Sequence, residues 1–369
     1  MDSFRFSNPV KVFVGRGNYQ HVGEYTSSDR IMLISDPVIS SLLFYSEIKD
    51  LLGGRILCEF TGIIPNPECE TVDSAVELAR EHQIDCIIAI GGGSTMDAAK
   101  VVAAISPGEG NVNDYITGAR QFGKERTSLI LMPTTAGTGS EVTNIAVITN
   151  RTLGKKIPLG NDLLFGDIAI IDSCLTETLP PKIVASSGFD ALCHAIEAYW
   201  NRLSTPISDA LALSAMKSVI ANLNSAYSGN EVAKEQMGIA SCLAGMAFNQ
   251  TRTTVCHAIS YRLTAVFGIE HGTACTITLV PFMKYNLDLM RQKFDFAGAY
   301  CGVGNAEGLI ATVDDLYRQV KMQQHLSAFG ITEKDIPLLT TEALAVASTK
   351  NNPREVTYEA LISILSQLI

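Results

Sequence analysis

Up to about residue 172 this sequence alternates short apolar runs with helical stretches, and after residue 180 the apolar runs stop. Seven runs, KVFVG, RIMLIS, RILCEF, DCIIAI, TSLILM, IAVIT and DIAIID, read as strands, several of them apolar throughout. Strands covered on both faces of a mostly parallel sheet have that character, because neither face needs polar residues. TVDSAVELAREHQ and STMDAAKVVAAI lie between them with helical spacing, and strands alternating with helices give an α/β architecture. From residue 181 onward KIVASSGFDALCHAIEAYW, ISDALALSAMKSVIANL, VAKEQMGIASCLAGMAF and RTTVCHAISYRLTAVFGIEHG are all helical in pattern. The expectation is an α/β N-terminal domain over residues 1–178 and an all-α C-terminal domain over residues 179–369, with the boundary near Leu179 and Pro180. A chain of 369 residues can bury a core in each.

A net charge of −10 argues against nucleic acid or an anionic membrane surface as the main partner, since both recruit basic patches. No apolar stretch approaches bilayer length, and MDSFRFSNPVKVFVG has neither a basic n-region nor an apolar h-region, so a cytoplasmic protein is expected. The nine cysteines are scattered and never form a C-x-x-C pair, which reads as buried, reduced thiols. Cys193 and Cys256 each precede a histidine of interest, but adjacent helical residues point about 100° apart and packing is the better account of both.

Two loops carry the first chemical signal. In AIGGGSTMDAAK, Gly91 to Gly93 close a strand and open a helix, where backbone can approach a phosphate and free N–H groups face it. A structural glycine turn would look similar. LMPTTAGTGSEVT follows another strand and clusters Thr134, Thr135, Thr138 and Ser140 around two glycines; such hydroxyls suit either a nucleotide or ordinary turns and caps. Both loops leave the C-terminal ends of strands, where open α/β sheets bind ligands, and together they favour a nucleotide-binding domain. Asp36 ends a third strand. Its carboxylate would take the ribose hydroxyls of NAD and repel the extra phosphate of NADP, or it caps a helix.

The second signal lies in the helical half. Asp190 and His194, four apart in GFDALCHAIEAYW, share one helix face. With His257 and His271 they supply one carboxylate and three imidazoles, a set that suits Fe2+ or Zn2+ and would be odd for Mg2+ or Ca2+. The other reading is a helix-face Asp–His hydrogen bond and two unrelated histidines. Around His257, helical spacing would align Thr253 and Tyr261 on one face with Thr264 close behind.

Taken in order, NPVKVFVGRG, PNPECETVDSAVELAREHQIDCIIAIGGGSTMDAAK, MPTTAGTGSEVT, GFDALCHAIEAYW, EHG and NNPREVT resemble the iron-containing (group III) alcohol dehydrogenase family over nearly the whole chain. The resemblance implies a dehydroquinate synthase-like fold, with metal and substrate in a cleft between the two domains. It assigns Asp190, His194, His257 and His271 as metal ligands for Fe2+, with Zn2+ the alternative. It assigns Gly92, Gly93, Ser94 and Asp97 to the pyrophosphate-binding turn of NAD(H), Thr134, Thr135 and Thr138 to the second cofactor loop, and Lys156 to the cofactor ribose. Asp36 matches the position associated with NAD preference, and Leu179 joins the cofactor-binding set. It also implies a small aldehyde or alcohol as the partner and a homodimer.

One position departs: family members carry a histidine where this chain has Tyr261. The surrounding NQTRTTVCHAISYRLTAVFGIEHG resembles the branch that reduces phosphonoacetaldehyde to 2-hydroxyethylphosphonate. A phosphonate dianion needs a guanidinium and hydroxyls. Arg252, Thr253 and Thr254 stand just before His257, and Arg262 is a second candidate; either arginine is otherwise a surface charge. His257 and Tyr261 are the catalytic candidates, with the proton for the nascent alcohol coming from water or a cofactor ribose rather than from the high-pKa phenol. The competing readings are a general primary-alcohol or diol dehydrogenase, a maleylacetate reductase, and a non-catalytic nucleotide-binding scaffold.

Overall fold

The computed structural model describes residues 3–369; Met1 and Asp2 lie outside the described residues. The chain forms two compact units. One comprises Asn8–Thr135 and Gly139–Thr178; the other comprises Ala136–Thr138 and Leu179–Ile369 together with N-terminal residues through Ser7. The excursion at 136–138 has no counterpart in a single sequence boundary.

The first unit contains strands β1 (Lys11–Val14), β2 (Ile31–Ser35), β3 (Ile56–Phe60), β4 (Cys86–Gly91), β5 (Ser128–Pro133), β6 (Ile145–Asn150), β7 (Lys155–Gly160) and β8 (Ile168–Ile171), with helices α1 (Leu43–Leu52), α2 (Cys69–Glu81), α3 (Gly93–Ile105) and α4 (Val112–Thr117). Six strands form one sheet in the order β1-β8-β5-β4-β2-β3, parallel at every pairing. Every residue of β2, β4 and β8 is buried, as their unbroken apolar runs require. Alternate side chains feed two cores. Met32, Ile34, Ile87 and Ala89 pack with Val72 and Val76 of α2 and Val101 and Val102 of α3; Ile31, Leu33, Ile88 and Ile90 pack on the other face with Phe44 and Ile48 of α1. IAVIT leaves the main sheet: as β6 it pairs antiparallel with β7 and alternates buried and half-buried positions. KKIPLG, which becomes β7, gives little strand signal because two lysines and a proline interrupt it.

The second unit is helical: α5 (Pro181–Trp200), α6 (Pro206–Tyr227), α7 (Glu231–Thr251), α8 (Val255–Ala265), α9 (His271–Thr276), α10 (Leu279–Tyr300), α11 (Ala306–Gln319), α12 (Ile336–Ala345) and α13 (Tyr358–Ser366). Pro181 starts α5, where a missing N–H costs nothing. Its middle is buried almost without interruption. Close approach to α5 depends on glycines. A Cβ on Gly272 would stand 2.1 Å from the Ser186 carbonyl oxygen, and one on Gly137 2.7 Å from that of Ser187. Glycine after His271 therefore lets α9 lie against α5.

The helix expected to carry Thr253 starts later than its spacing suggests. Arg252 closes α7 in the left-handed region, at φ 66°, and Thr254 is the N-cap of α8. Asn201 donates to the Arg252 carbonyl at 3.0 Å and Asn351 to the Thr253 carbonyl at 3.1 Å, which holds the break in place. Thr253 is thus off the helix face that His257 and Tyr261 occupy.

Candidate active site

In the helical unit, α5 contributes Asp190 and His194 from one face, α8 contributes His257, and α9 contributes His271. From Asp190 Oδ1 the distances are 3.9 Å to His194 Nδ1, 3.6 Å to His257 Nε2 and 4.0 Å to His271 Nε2. Asp190 Oδ1, His194 Nδ1 and His257 Nε2 are buried without a hydrogen-bond partner. Buried polar atoms left in that state cost free energy unless something absent from the chain satisfies them. A divalent cation does so, and a carboxylate with imidazoles is a donor set such ions accept. Ligand atoms of Asp190, His257, His271 and Cys275 all lie within 4.8 Å of one another. His194 stands at the edge of this group, its ring stacked on those of His257 (4.3 Å between centroids) and Phe248 (4.1 Å).

The charges agree with that arrangement. Burial pushes the Asp190 carboxyl up, but His194 and then the other imidazoles outweigh it and hold it well below the ordinary carboxylate range. Burial brings His194 down to about 4, so it presents a neutral ring with a free lone pair.

Behind the cluster Glu197, wholly buried on α5, accepts from His257 Nδ1, from the Thr254 hydroxyl and, at 2.9 Å, from the Cys256 backbone N–H. One carboxylate therefore caps the start of α8 and fixes the tautomer that leaves His257 Nε2 facing Asp190. Thr254 also accepts from Trp200 Nε1 at 2.9 Å and is fully buried. Its hydroxyl is committed inside the protein and is not offered to a substrate. Arg262, from the same sequence stretch, pairs with Glu342 at 2.8 Å. Arg252 and Thr253 are half-buried at the break between α7 and α8. Burial raises the Tyr261 phenol above its ordinary pKa.

In the α/β unit the sheet register gathers the cofactor candidates. Ser35 pairs with Ile90 and Gly91 with Pro133, so Asp36, Gly92 and Thr134 leave neighbouring strands at the same end. A Cβ on Gly91 would meet Thr95 Oγ1 at 2.4 Å, and Thr134 N–H donates to the Gly91 carbonyl at 3.0 Å. Gly92 caps α3, followed by Gly93 and by Ser94, whose hydroxyl accepts from Asn66 N–H at 3.1 Å. Thr135 is half-buried beside Gly92. Asp36 Oδ1 accepts from the N–H groups of Val38 and Ile39, each at 2.9 Å, so the capping role is realised at one of its two oxygens.

Asp97 accepts from Ser140 Oγ at 2.6 Å and Val147 N–H at 2.8 Å, which makes it a support of the second loop from behind. Lys156 on β7 contributes positive charge near it. Lys100 is buried beneath the same loop and donates to Ser140, Thr143 and the Ile145 carbonyl. Thr138 falls in the other unit, as does Leu179, half-buried just ahead of α5.

A family model described as the Fe-containing alcohol dehydrogenase family, C-terminal, matches residues 184–369, and one described as iron-containing alcohol dehydrogenase matches residues 9–173. The chain belongs to the iron-containing alcohol dehydrogenase family. Among relatives of this alcohol dehydrogenase, the sulfoacetaldehyde reductase of Bifidobacterium kashiwanohense, solved in complex with NAD+, has a TM-score of 0.95 and 33% identity, covering 100% of this chain and 99% of that one. The sulfoacetaldehyde reductase of Bilophila wadsworthia is 29% identical over 91% of this chain and 90% of its own. An NADPH-dependent butanol dehydrogenase of Clostridium saccharobutylicum is 32% identical over 98% and 96%.

Two residues packed with this candidate site, Glu197 and Cys275, are not singled out by the sequence. Glu197 follows Asp190 by seven residues and His194 by three, so it shares their helix face, and that spacing was a usable signal. Cys275, four after His271, carries the same signal on a helix too short to be recognised by periodicity.

Proposed function

We propose that the chain is a metal-dependent, NAD(H)-linked oxidoreductase interconverting a short aldehyde and its primary alcohol, with phosphonoacetaldehyde reduced to 2-hydroxyethylphosphonate as its preferred reaction. The observation that carries the reading is the set of buried, unpartnered donor atoms of Asp190, His194 and His257 turned toward one another, with His271 at their side. These four residues would hold the ion, Fe2+ with Zn2+ as the alternative. When bound, a divalent cation supplies Lewis-acid polarisation of a carbonyl oxygen and a reduced nicotinamide supplies hydride.

The chain's own residues do the rest. Glu197 keeps the His257 ring in one tautomer and orientation. The turn from Gly92 to Ser94 would take the pyrophosphate on backbone N–H groups at the start of α3. Asp36, with one oxygen tied to Val38 and Ile39, would hold ribose hydroxyls and disfavour a 2′-phosphate, so NADH should be preferred and Asp36→Gly should narrow the preference. The Tyr261 phenol holds its proton too firmly to give it up readily near neutrality, which leaves water or a ribose hydroxyl as the donor.

Arg252 and Thr253, fixed in the break before α8, would grip the phosphonate. Kinship with two sulfoacetaldehyde reductases supports a two-carbon aldehyde bearing a terminal oxyanion and favours sulfoacetaldehyde as the second reading. An NADH-coupled screen of phosphonoacetaldehyde, sulfoacetaldehyde, acetaldehyde, propanal, lactaldehyde and 3-hydroxypropanal tests it. Highest kcat/KM with phosphonoacetaldehyde is expected; preference for a neutral aldehyde would replace the reading with a general alcohol dehydrogenase. The same reading carries a cytoplasmic homodimer, to be checked by sedimentation and fractionation. Among the described residues no helix is long and apolar enough to cross a membrane.

A further inference from the structure

We propose that Cys275 is a sulfur ligand of the metal centre, extending the donor set to Asp190, His194, His257, His271 and Cys275 and raising its affinity for Zn2+ relative to Fe2+. The inference rests on the metal reading above and deepens it.

Cys275 follows His271 by one helical turn, so α9 presents both side chains on one face. Its Sγ lies 3.6 Å from His271 Nε2 and 3.7 Å from Nδ1 and, with the donor atoms of Asp190, His257 and His271, falls inside one group spanning no more than 4.8 Å. Five donors bound to one ion at about 2.0–2.3 Å, with angles of about 90–120° between neighbours, stand roughly 2.8–3.8 Å from one another. The 3.6 Å between His257 Nε2 and Asp190 Oδ1 meets that spacing, and the 3.9 and 4.0 Å from Asp190 to His194 and His271 slightly exceed it; Cys275 Sγ, as placed, lies against the side of the His271 ring and needs a rotation of one of the two side chains to share an ion with Nε2. Cys275 is fully buried among these groups, in which Asp190 Oδ1 and His257 Nε2 lack hydrogen-bond partners.

The other nearby thiols are placed differently. Cys193 Sγ lies 3.9 Å from His257 Nδ1, on the ring edge that Glu197 occupies, and donates to the Cys275 carbonyl at 3.6 Å. Cys256 precedes His257 on α8 and lies outside that group of clustered donor atoms. Among these three, Cys275 alone joins the open side of the cluster. Thiolate sulfur is a soft donor, and adding it to imidazoles and a carboxylate favours zinc in particular among the ions such a site takes. The thiol releases its proton to solvent as the ion binds.

The test uses the full-length protein, stripped by chelation and titrated with Co2+. The wild type should develop a sulfur-to-cobalt charge-transfer band in the near ultraviolet in step with the visible d–d bands. Cys275→Ser should keep the visible bands and lose the near-ultraviolet one, while Cys193→Ser keeps both. In competition, the preference for Zn2+ over Fe2+ should fall by about tenfold or more in Cys275→Ser, at least the loss that follows removal of an outer partner of a ligand. Visible bands without charge transfer in the wild type, or a charge-transfer band surviving in Cys275→Ser, would overturn the assignment and leave the metal reading standing. Absence of the visible bands altogether would overturn both.

Discussion

Glu197 uses two oxygens for three tasks: it caps α8, engages the Thr254 hydroxyl, and holds His257 Nδ1. Burial works against its charge, but His257 and the hydrogen bonds win and keep it below the ordinary carboxylate range. Glu197→Gln keeps the shape, removes the charge, and should lower metal affinity about 10- to 100-fold, read by competition with a chromophoric chelator. Unchanged affinity would mean that the tautomer is set elsewhere. Arg252→Ala separates charge from backbone, because alanine carries a Cβ as arginine does, and so meets the same strain at φ 66°, while lacking the guanidinium. A charge-assisted contact is worth about 1.5–3 kcal/mol, so kcat/KM for phosphonoacetaldehyde should drop roughly ten- to a hundredfold and for acetaldehyde hardly at all. Equal losses for both would point to a structural role.

Residues at this scale are legible in sequence where they share a helix face. Asp190 and His194 are four apart and announce themselves. Thr254 does not: its neighbours Trp200 and Glu197 come from another helix, more than fifty residues away, and no local spacing reveals them.

Among elements, α9 depends on a glycine for its place. In Gly272→Ala the new Cβ would meet the Ser186 carbonyl, a backbone atom that cannot rotate away. Overpacking of this kind costs about 1–3 kcal/mol, and here the shift also carries His271 away from Asp190. The variant should therefore melt at lower temperature and bind metal less tightly than the wild type; if only its melting temperature changes, His271 holds its position without that contact. Most elements could be read beforehand, since all seven apolar runs contain strands and three of the four long helical patterns are helices, the fourth being helical only over Val255–Ala265 before α9 begins at His271. The exceptions have physical causes. Lys155, Lys156 and Pro158 mask β7, whose pairing with β6 is a tertiary event. The break at residues 252–254 is held by amides from Asn201 and Asn351, one of them nearly a hundred residues distant, and helical spacing simply runs through it.

Across the whole molecule, the buried charges beneath the loop that follows β5 shape the response to pH. Burial pulls Lys100 down from 10.5 to about 8 and pushes Glu141 up from 4.5 to about 7. Between about 8 and 10.5 the unfolded chain keeps a Lys100 proton that the folded one has lost, so this group adds stability as pH rises. Between 4.5 and about 7 the folded chain keeps a Glu141 proton that the unfolded one has lost, so that group subtracts stability as pH rises. Urea midpoints of wild type and Lys100→Met, compared across the alkaline range, should diverge, with the wild type gaining ground that the variant does not. Parallel curves would show that Lys100 titrates at its ordinary value.

The partition of the chain also bears on any attempt to move this proposed metal centre into another protein. Its four histidine and aspartate positions fall after residue 179, yet the helical unit includes Ala136–Thr138, and the Gly137 backbone both hydrogen-bonds His194 and lies against Ser187. A gene segment beginning at codon 179 would encode these four residues without that strip of backbone. Transplanted alone, it would deliver α5 with an open groove beside Ser187 and His194 without its backbone partner, so a working graft has to bring a surrogate tripeptide along.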